Sequence, residues 1–296
     1  MGNVANFLVS LARGGLQFVL IIWLQGIWLP LHGYRFEETP LWAGIYMLPL
    51  TAGFLVFGPV SGFLSDRIGA RGLATAGIVV ATIAFVGLLL LPVNFQFAQF
   101  AALIFVAGAG LGMFSAPNTA AIMNAVPPQH RGVASGMNAT TMNVGSTLSI
   151  TVIFSLVTLG LAARLPQALD AGLTTAGIPA EVAARVAALP PTGALFAAFL
   201  GYNPMGTLLP PAVLAQLPAA TRDLVLSKTF FPNLMTAPMG SGMQIAFAAS
   251  ALCCVAAAAV SWLRGEPVIA QEVSAASAPR PIAGTGTEPL PSASHH

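Results

Sequence analysis

The sequence predicts an all-α membrane protein with six transmembrane helices, and three observations carry that prediction. Of its 296 residues, 56% are hydrophobic and only 7% charged, where soluble domains run about 25% charged. Mean hydropathy is +0.82. Mostly apolar runs such as Leu16–Leu31 and Gly72–Pro92 approach or reach the ~20 residues a helix needs to cross the hydrocarbon core. A chain this poor in charge cannot clothe a soluble globule, which excludes a cytosolic enzyme and a nucleic-acid binder. The net charge of +2 signals no polyanionic partner.

Helices are the expected spanning form because lipid cannot satisfy an exposed backbone, and the alternating pattern of a barrel is absent. Six segments qualify: Phe7–Leu31, Leu41–Leu64, Gly72–Pro92, Phe97–Val126, Gly132–Ala163 and Ala237–Leu263. Residues 1–163 therefore hold helices one to five. The fourth and fifth exceed a membrane's thickness and are expected to tilt or protrude. Residues 164–236 read as an extracytoplasmic, partly helical loop. It is broken at Pro190-Pro191 and Pro210-Pro211 and carries amphipathic patterns at Pro179–Leu189 and Ala212–Leu217. Phe196, Phe199, Phe230 and Phe231 make it too apolar for a solvated linker. Residues 237–264 form helix six. Residues 265–296, rich in Pro, Ser and Ala without periodicity, read as a disordered cytoplasmic tail.

Orientation follows from arginine in the short loops. Arg67, Arg71 and Arg131 lie in turns on one side, joined by Arg13 and Arg264 at the membrane ends. Arg35 stands on the other side, offset by Glu37 and Glu38. The expectation is a multi-pass protein of the cell (plasma or inner) membrane with both termini cytoplasmic. Met1–Ala12 lacks the basic region of a cleavable signal peptide. Cys253 and Cys254, adjacent in an apolar run, read as small hydrophobes and offer no metal or cofactor site.

Polar residues are costly inside a membrane helix unless they face a partner or water. Helix three carries only Thr75 and Thr82 and reads as lipid-facing. In helix five, Gly136, Thr140, Asn143, Thr147 and Thr151 recur at spacings of three and four, forming one stripe along the helix. Helix four repeats the pattern with Gly108, Gly112, Ser115 and Thr119, with Asn118 beside it; helix one contributes Gln17 and Gln25. Small and hydroxyl residues also pack helices together, as in Gly108-x-x-x-Gly112 and Gly58-x-x-x-Gly62. The amides Gln17, Gln25, Asn118 and Asn143 are harder to leave idle in lipid, and with Thr140 and Thr147 of the stripe they are the candidates for a substrate pathway. No ionisable residue falls well inside a predicted helix, so a proton relay would need an acid from outside this chain.

Between helices two and three the sequence reads Gly62-Phe63-Leu64-Ser65-Asp66-Arg67-Ile68-Gly69-Ala70-Arg71. Here Gly62 would admit a neighbouring helix, Asp66 would face a helix N-terminus, and Arg67 and Arg71 would hold helix-end carbonyls or acidic partners. The run resembles the G-x-L-[SA]-D-R-x-G-x-[RK] signature of the major facilitator superfamily, found after the second helix of each six-helix half. Leu16–Gly33, Trp42–Gly62, Ser115–Asn124, Arg131–Gly136 and Phe230–Asn233 are similar to its fourteen-helix drug:proton antiporter branch. The resemblance spans nearly all of residues 5–264 but only that family's C-terminal half. Helix five lacks the G-P-x-x-G-G antiporter motif, and helix one lacks the Asp-containing motif of the other half.

The resemblance implies one half of a major facilitator fold, in which the first, second, fourth and fifth helices line a central cavity. It implies a gate at Gly62, Asp66, Arg67, Gly69 and Arg71. It also implies export of amphipathic small molecules through the lipid bilayer, coupled to protons. The partner would be a missing N-terminal half or a second half-transporter. A self-pairing or accessory half-transporter is the alternative. An intramembrane protease fits poorly, since Val133-Ala134-Ser135-Gly136 misses the Gly-x-Ser-Gly turn and His32 and His130 sit at membrane edges.

Overall fold

A computed structural model describes residues 1–92 and 94–263, which contain helices and no strand. The predicted tail, 265–296, lies outside the described residues. Six helices among those described are long and apolar enough to cross a membrane. They are α1 (Gly2–Leu31), α2 (Leu48–Ile68), α3 (Ala70–Leu90), α4 (Phe97–Asn124), α5 (Arg131–Thr175) and α6 (Phe230–Trp262). α2 is entered through the short helix Thr39–Tyr46. Pro40 and Pro49 occupy the first turns of these two helices, where the missing N–H is no loss.

α4 lies between α2 and α3, α1 packs on α5 and α6, and α6 closes the bundle against α3 and α5. α3 is therefore half covered on its α4 and α6 sides, with Val79, Ile83, Val86 and Leu90 left outward. Close contact rests on glycine. A Cβ on Gly108 would stand 2.0 Å from the Leu50 carbonyl oxygen, and one on Gly15 would stand 2.2 Å from that of Ser149. Approach this close is how membrane helices gain van der Waals contact when lipid competes equally for apolar side chains.

Polar side chains stitch the same seams. The buried Asn6 amide donates to the Asn138 side-chain oxygen at 2.6 Å, and Ser149 accepts from the Gly15 N–H at 2.7 Å while donating to the Leu11 carbonyl. Ser250 donates to the Ala12 carbonyl at 2.9 Å, and the Thr75 and Ser261 hydroxyls pair at 2.9 Å. Asn138→Leu strands Asn6 in the seam and should cost about 1–2 kcal/mol. The Asn6→Leu/Asn138→Leu double variant should lose less than the two single losses added. A double-mutant cycle of thermal unfolding in detergent measures that coupling.

Several boundaries differ from the sequence expectation: α1 begins at Gly2 rather than Phe7, and α2 at Leu48 rather than Leu41. α5 continues to Thr175 rather than stopping at Ala163, and α6 begins at Phe230 rather than Ala237. Leu161, Leu165, Leu169 and Leu173 recur every four residues and are fully buried, so the apolar row carries the helix through Arg164 and Pro166. At 1.5 Å per residue, the 45 residues of α5 span about 67 Å, far more than the ~30 Å hydrocarbon core. The intervening residues 176–229 form a module of short helices, among them Ala180–Ala187 and Pro211–Gln216 where the sequence shows amphipathic patterns. Ala180–Ala187 packs on α5 through Val182, Ala183 and Val186. Pro191–Phe199 then turns away by 87°. Gly201, at φ +65°, is covered by the Phe36 ring, which leaves no room for a side chain there.

At that end the interior is aromatic. Trp28 stacks on Phe95 (5.3 Å between centroids) and on His32 (3.8 Å), and Tyr46 stacks on Phe97 at 4.1 Å. The sequence reading singled out none of the tryptophans, although their clustering near the predicted helix ends was visible.

Candidate functional site: polar faces of α1 and α5 and the α2–α3 turn

The α5 row stands clear of the packing. Gly136, Thr140, Asn143, Thr147 and Thr151 are all exposed, while Asn138, Gly145, Ser149, Ile153 and Val157 on the opposite side are buried against neighbouring helices. Beside the row runs a second exposed set, Val133, Met137, Val144, Leu148 and Val152. An uncovered amide and three hydroxyls on a membrane helix call for water or another protein surface.

The helix-four row does something else. Gly108 and Gly112 are packed against the backbone of α2, so they make first of all a packing seam, with Gly108 at the edge of one small cavity. Asn118 is 1% exposed and donates to the Gly2 carbonyl at 3.3 Å, which places it inside the bundle and off any open face. The sequence could not tell the two rows apart, because small residues suit both roles.

On α1, Gln17 is half-buried and lines a cavity of about 110 Å³ with Arg13, Thr51, Phe54, Gly108 and Leu111. Gln25 lies in the π-helical turn Leu24–Trp28. Pro30, four residues beyond Gly26, has no N–H for the Gly26 carbonyl and crowds it, which accounts for the wider turn. Such bulges recur at functional positions. Arg13 is the clearest departure from the sequence reading. The sequence puts it at a membrane end, but α1 begins at Gly2, so Arg13 is 11 residues into the helix, about 16 Å along it.

At the α2–α3 turn the motif residues separate by role. Gly69 takes φ +92°, ψ 138°, a region essentially reserved for glycine. Gly69→Ala should therefore cost about 1–3 kcal/mol, read as a lower thermal midpoint in detergent. Arg71 donates to the Trp262 carbonyl in the last turn of α6 and lies over the Trp262 ring, 5.2 Å from its centroid. A cation at a helix C-terminus is favourable, and the contact ties α3 to α6. Arg67 rests over Phe63 at 4.8 Å. Gly62 differs from expectation: a Cβ there would make ordinary contact with Ala116 at 3.6 Å. The tight approaches on α2 lie further up, at Gly53 and opposite Gly108 and Gly112. Asp66 lies in the last turn of α2; its side chain is outside what the structure describes.

Comparison with known proteins agrees with this architecture. Residues 3–150 match the family model described as Major Facilitator Superfamily. The chain is 34% identical over 155 residues to a protein named riboflavin transporter, from Clostridioides difficile, covering 52% of this chain and 32% of that one. It is 27% identical over 203 residues to a tetracenomycin C resistance and export protein of Streptomyces glaucescens, covering 66% and 36%. It is 33% identical over 136 residues to a multidrug resistance protein of Mycobacterium tuberculosis, covering 45% and 24%. The chain thus spans a quarter to about a third of the length of these relatives. With half of it matched by the family model and six apolar helices packed as described, the chain belongs to the Major Facilitator Superfamily.

Proposed function

We propose that this chain is the C-terminal half of a proton-coupled multidrug efflux transporter of the fourteen-helix drug:proton antiporter branch. It exports amphipathic small molecules by alternating access, its bundle rocking against a second one about a midplane site. The observation that carries the reading is the exposed polar row on α5. Thr140, Asn143 and Thr147 have no use on a lipid-facing surface and suit a water-filled cleft between two bundles. The relatives named for drug resistance and export support the substrate class by analogy. The cell membrane, cytoplasmic termini and a partner bundle that supplies the proton-titrating acid belong to the same proposal.

The α2–α3 turn is its gate. Gly69 sets the turn, Arg71 clasps the end of α6, and the charges of Asp66 and Arg67 favour one state of the gate over the other. Asp66→Asn, in the complete transport unit, should lower dye efflux from loaded cells about tenfold or more with protein level unchanged. Unchanged efflux removes the gate role.

A further inference from the structure

The structure assigns Arg13, with Gln17 and Thr51, to a subsite for the anionic head group of an amphipathic substrate. This inference rests on the efflux reading and deepens it.

The helix crossings establish the depth of Arg13. Its neighbours Gly14 and Gly15 press on Ser146 and Ser149, near the middle of the predicted span 132–163. Its guanidinium lies over the Phe54 ring, 5.6 Å from the centroid, and Phe54 flanks Gly112 and Gly108 halfway along α4. Arg13 is thus near the middle of α1 and level with the middle of α4. Its side chain is exposed there, and at that depth a charge needs water or a counter-charge rather than lipid.

Nothing described in the chain neutralises it. Among the described residues Arg13 has no hydrogen-bond or ion-pair partner; Phe54 is its ring contact. The acidic positions up to residue 263 are Glu37, Glu38, Asp66, Asp170, Glu181 and Asp223. All of them lie in turns, at the last turn of α2, in the extension of α5 or in the module.

What surrounds Arg13 is a binding geometry. It opens with Gln17, one turn further along α1, and Thr51 of α2 onto the 110 Å³ cavity, whose walls are Leu50, Phe54 and Leu111. A guanidinium presents a planar fork of donors that matches a carboxylate, sulfonate or phosphate. The Gln17 amide and Thr51 hydroxyl add neutral donors, and the apolar wall takes the body of the molecule. Head group and body are thus recognised by one α1–α2–α4 pocket.

The test compares two probes with one apolar body, pyrenebutyrate and pyrenebutyltrimethylammonium. The transport unit is used as its native membrane supplies it, in inverted vesicles and in lipid nanodiscs. Arg13→Gln should lower the ratio of anion to cation efflux at least tenfold, and Arg13→Lys should restore part of that ratio. Pyrenebutyrate should bind the Gln variant in nanodiscs at least about tenfold more weakly than wild type, the loss of one charge-assisted hydrogen bond. An unchanged ratio with unchanged binding overturns the assignment. So does an equal fall for both probes, which makes Arg13 the counter-charge of a carboxylate on the second bundle. If wild type moves neither probe, the efflux reading fails. The nanodisc binding difference then still decides the subsite: its presence supports it and its absence overturns it.

Discussion

Gly108→Val should leave almost no correctly folded protein in detergent extracts. The added Cβ meets the Leu50 carbonyl oxygen at 2.0 Å and the Phe54 backbone nitrogen at 3.1 Å. Both are main-chain atoms, so no rotamer change relieves the clash. α2 and α4 must separate by an ångström or more, and the seam that also seats Gly53 and Gly112 opens with them. Overpacking usually costs 1–3 kcal/mol, and a backbone-to-backbone clash sits at or above the top of that range. Against a net stability of about 5–15 kcal/mol, the expected result is a broad or aggregated size-exclusion profile. Gly58→Ala is the control, since a Cβ there meets nothing within 4 Å and alanine favours the helix by roughly 1 kcal/mol. Equal behaviour of the two variants would contradict the packing described.

Leu169→Ala should loosen the helical module without disturbing the bundle. Leu169 is fully buried in the α5 extension, in one core with Leu165, Leu173, Val182 and Val186. Truncating such a leucine costs about 2–5 kcal/mol, depending on how far the site collapses. The loss falls on short helices with few other anchors, so the module should open locally. Trypsin should then cut faster at Arg185 and Arg222, while bundle sites keep their wild-type rate. Unchanged cleavage at both arginines would mean that the α5 extension does not hold the module.

The helices were legible in the sequence because hydropathy and length report directly on what the bilayer demands. All six stand where apolar runs of the required length occur. Their ends were less legible. The row Leu161, Leu165, Leu169 and Leu173 has helical spacing, but Arg164 and Pro166 interrupt its hydropathy, and only the packed module shows why the helix continues. Residue type alone could not sort the polar positions. Asn143 turns outward with Thr140 and Thr147 while Asn118 turns inward, although the two amides read as equally awkward in lipid. Gly108 and Gly112 look like Gly58 and Gly62 in spacing, yet only the first pair seats a backbone against its Cα atoms. Arg13, read from the sequence as a membrane-end residue, is the largest misplacement. Its depth depends on which residues cross at Gly14, Gly15 and Phe54, and that is tertiary information.

The central claim is that the polar row of α5 meets water while the apolar row beside it does not. Single cysteines at Thr140, Asn143 and Thr147, and at Val144, Leu148 and Val152, test it, with Cys253 and Cys254 replaced by alanine. A membrane-impermeant maleimide is added to the complete transport unit in open membrane fragments. Thr140→Cys, Asn143→Cys and Thr147→Cys should label several-fold faster than the other three. Equal labelling of both rows, or faster labelling of Val144→Cys, Leu148→Cys and Val152→Cys, would contradict a water-filled pathway along α5.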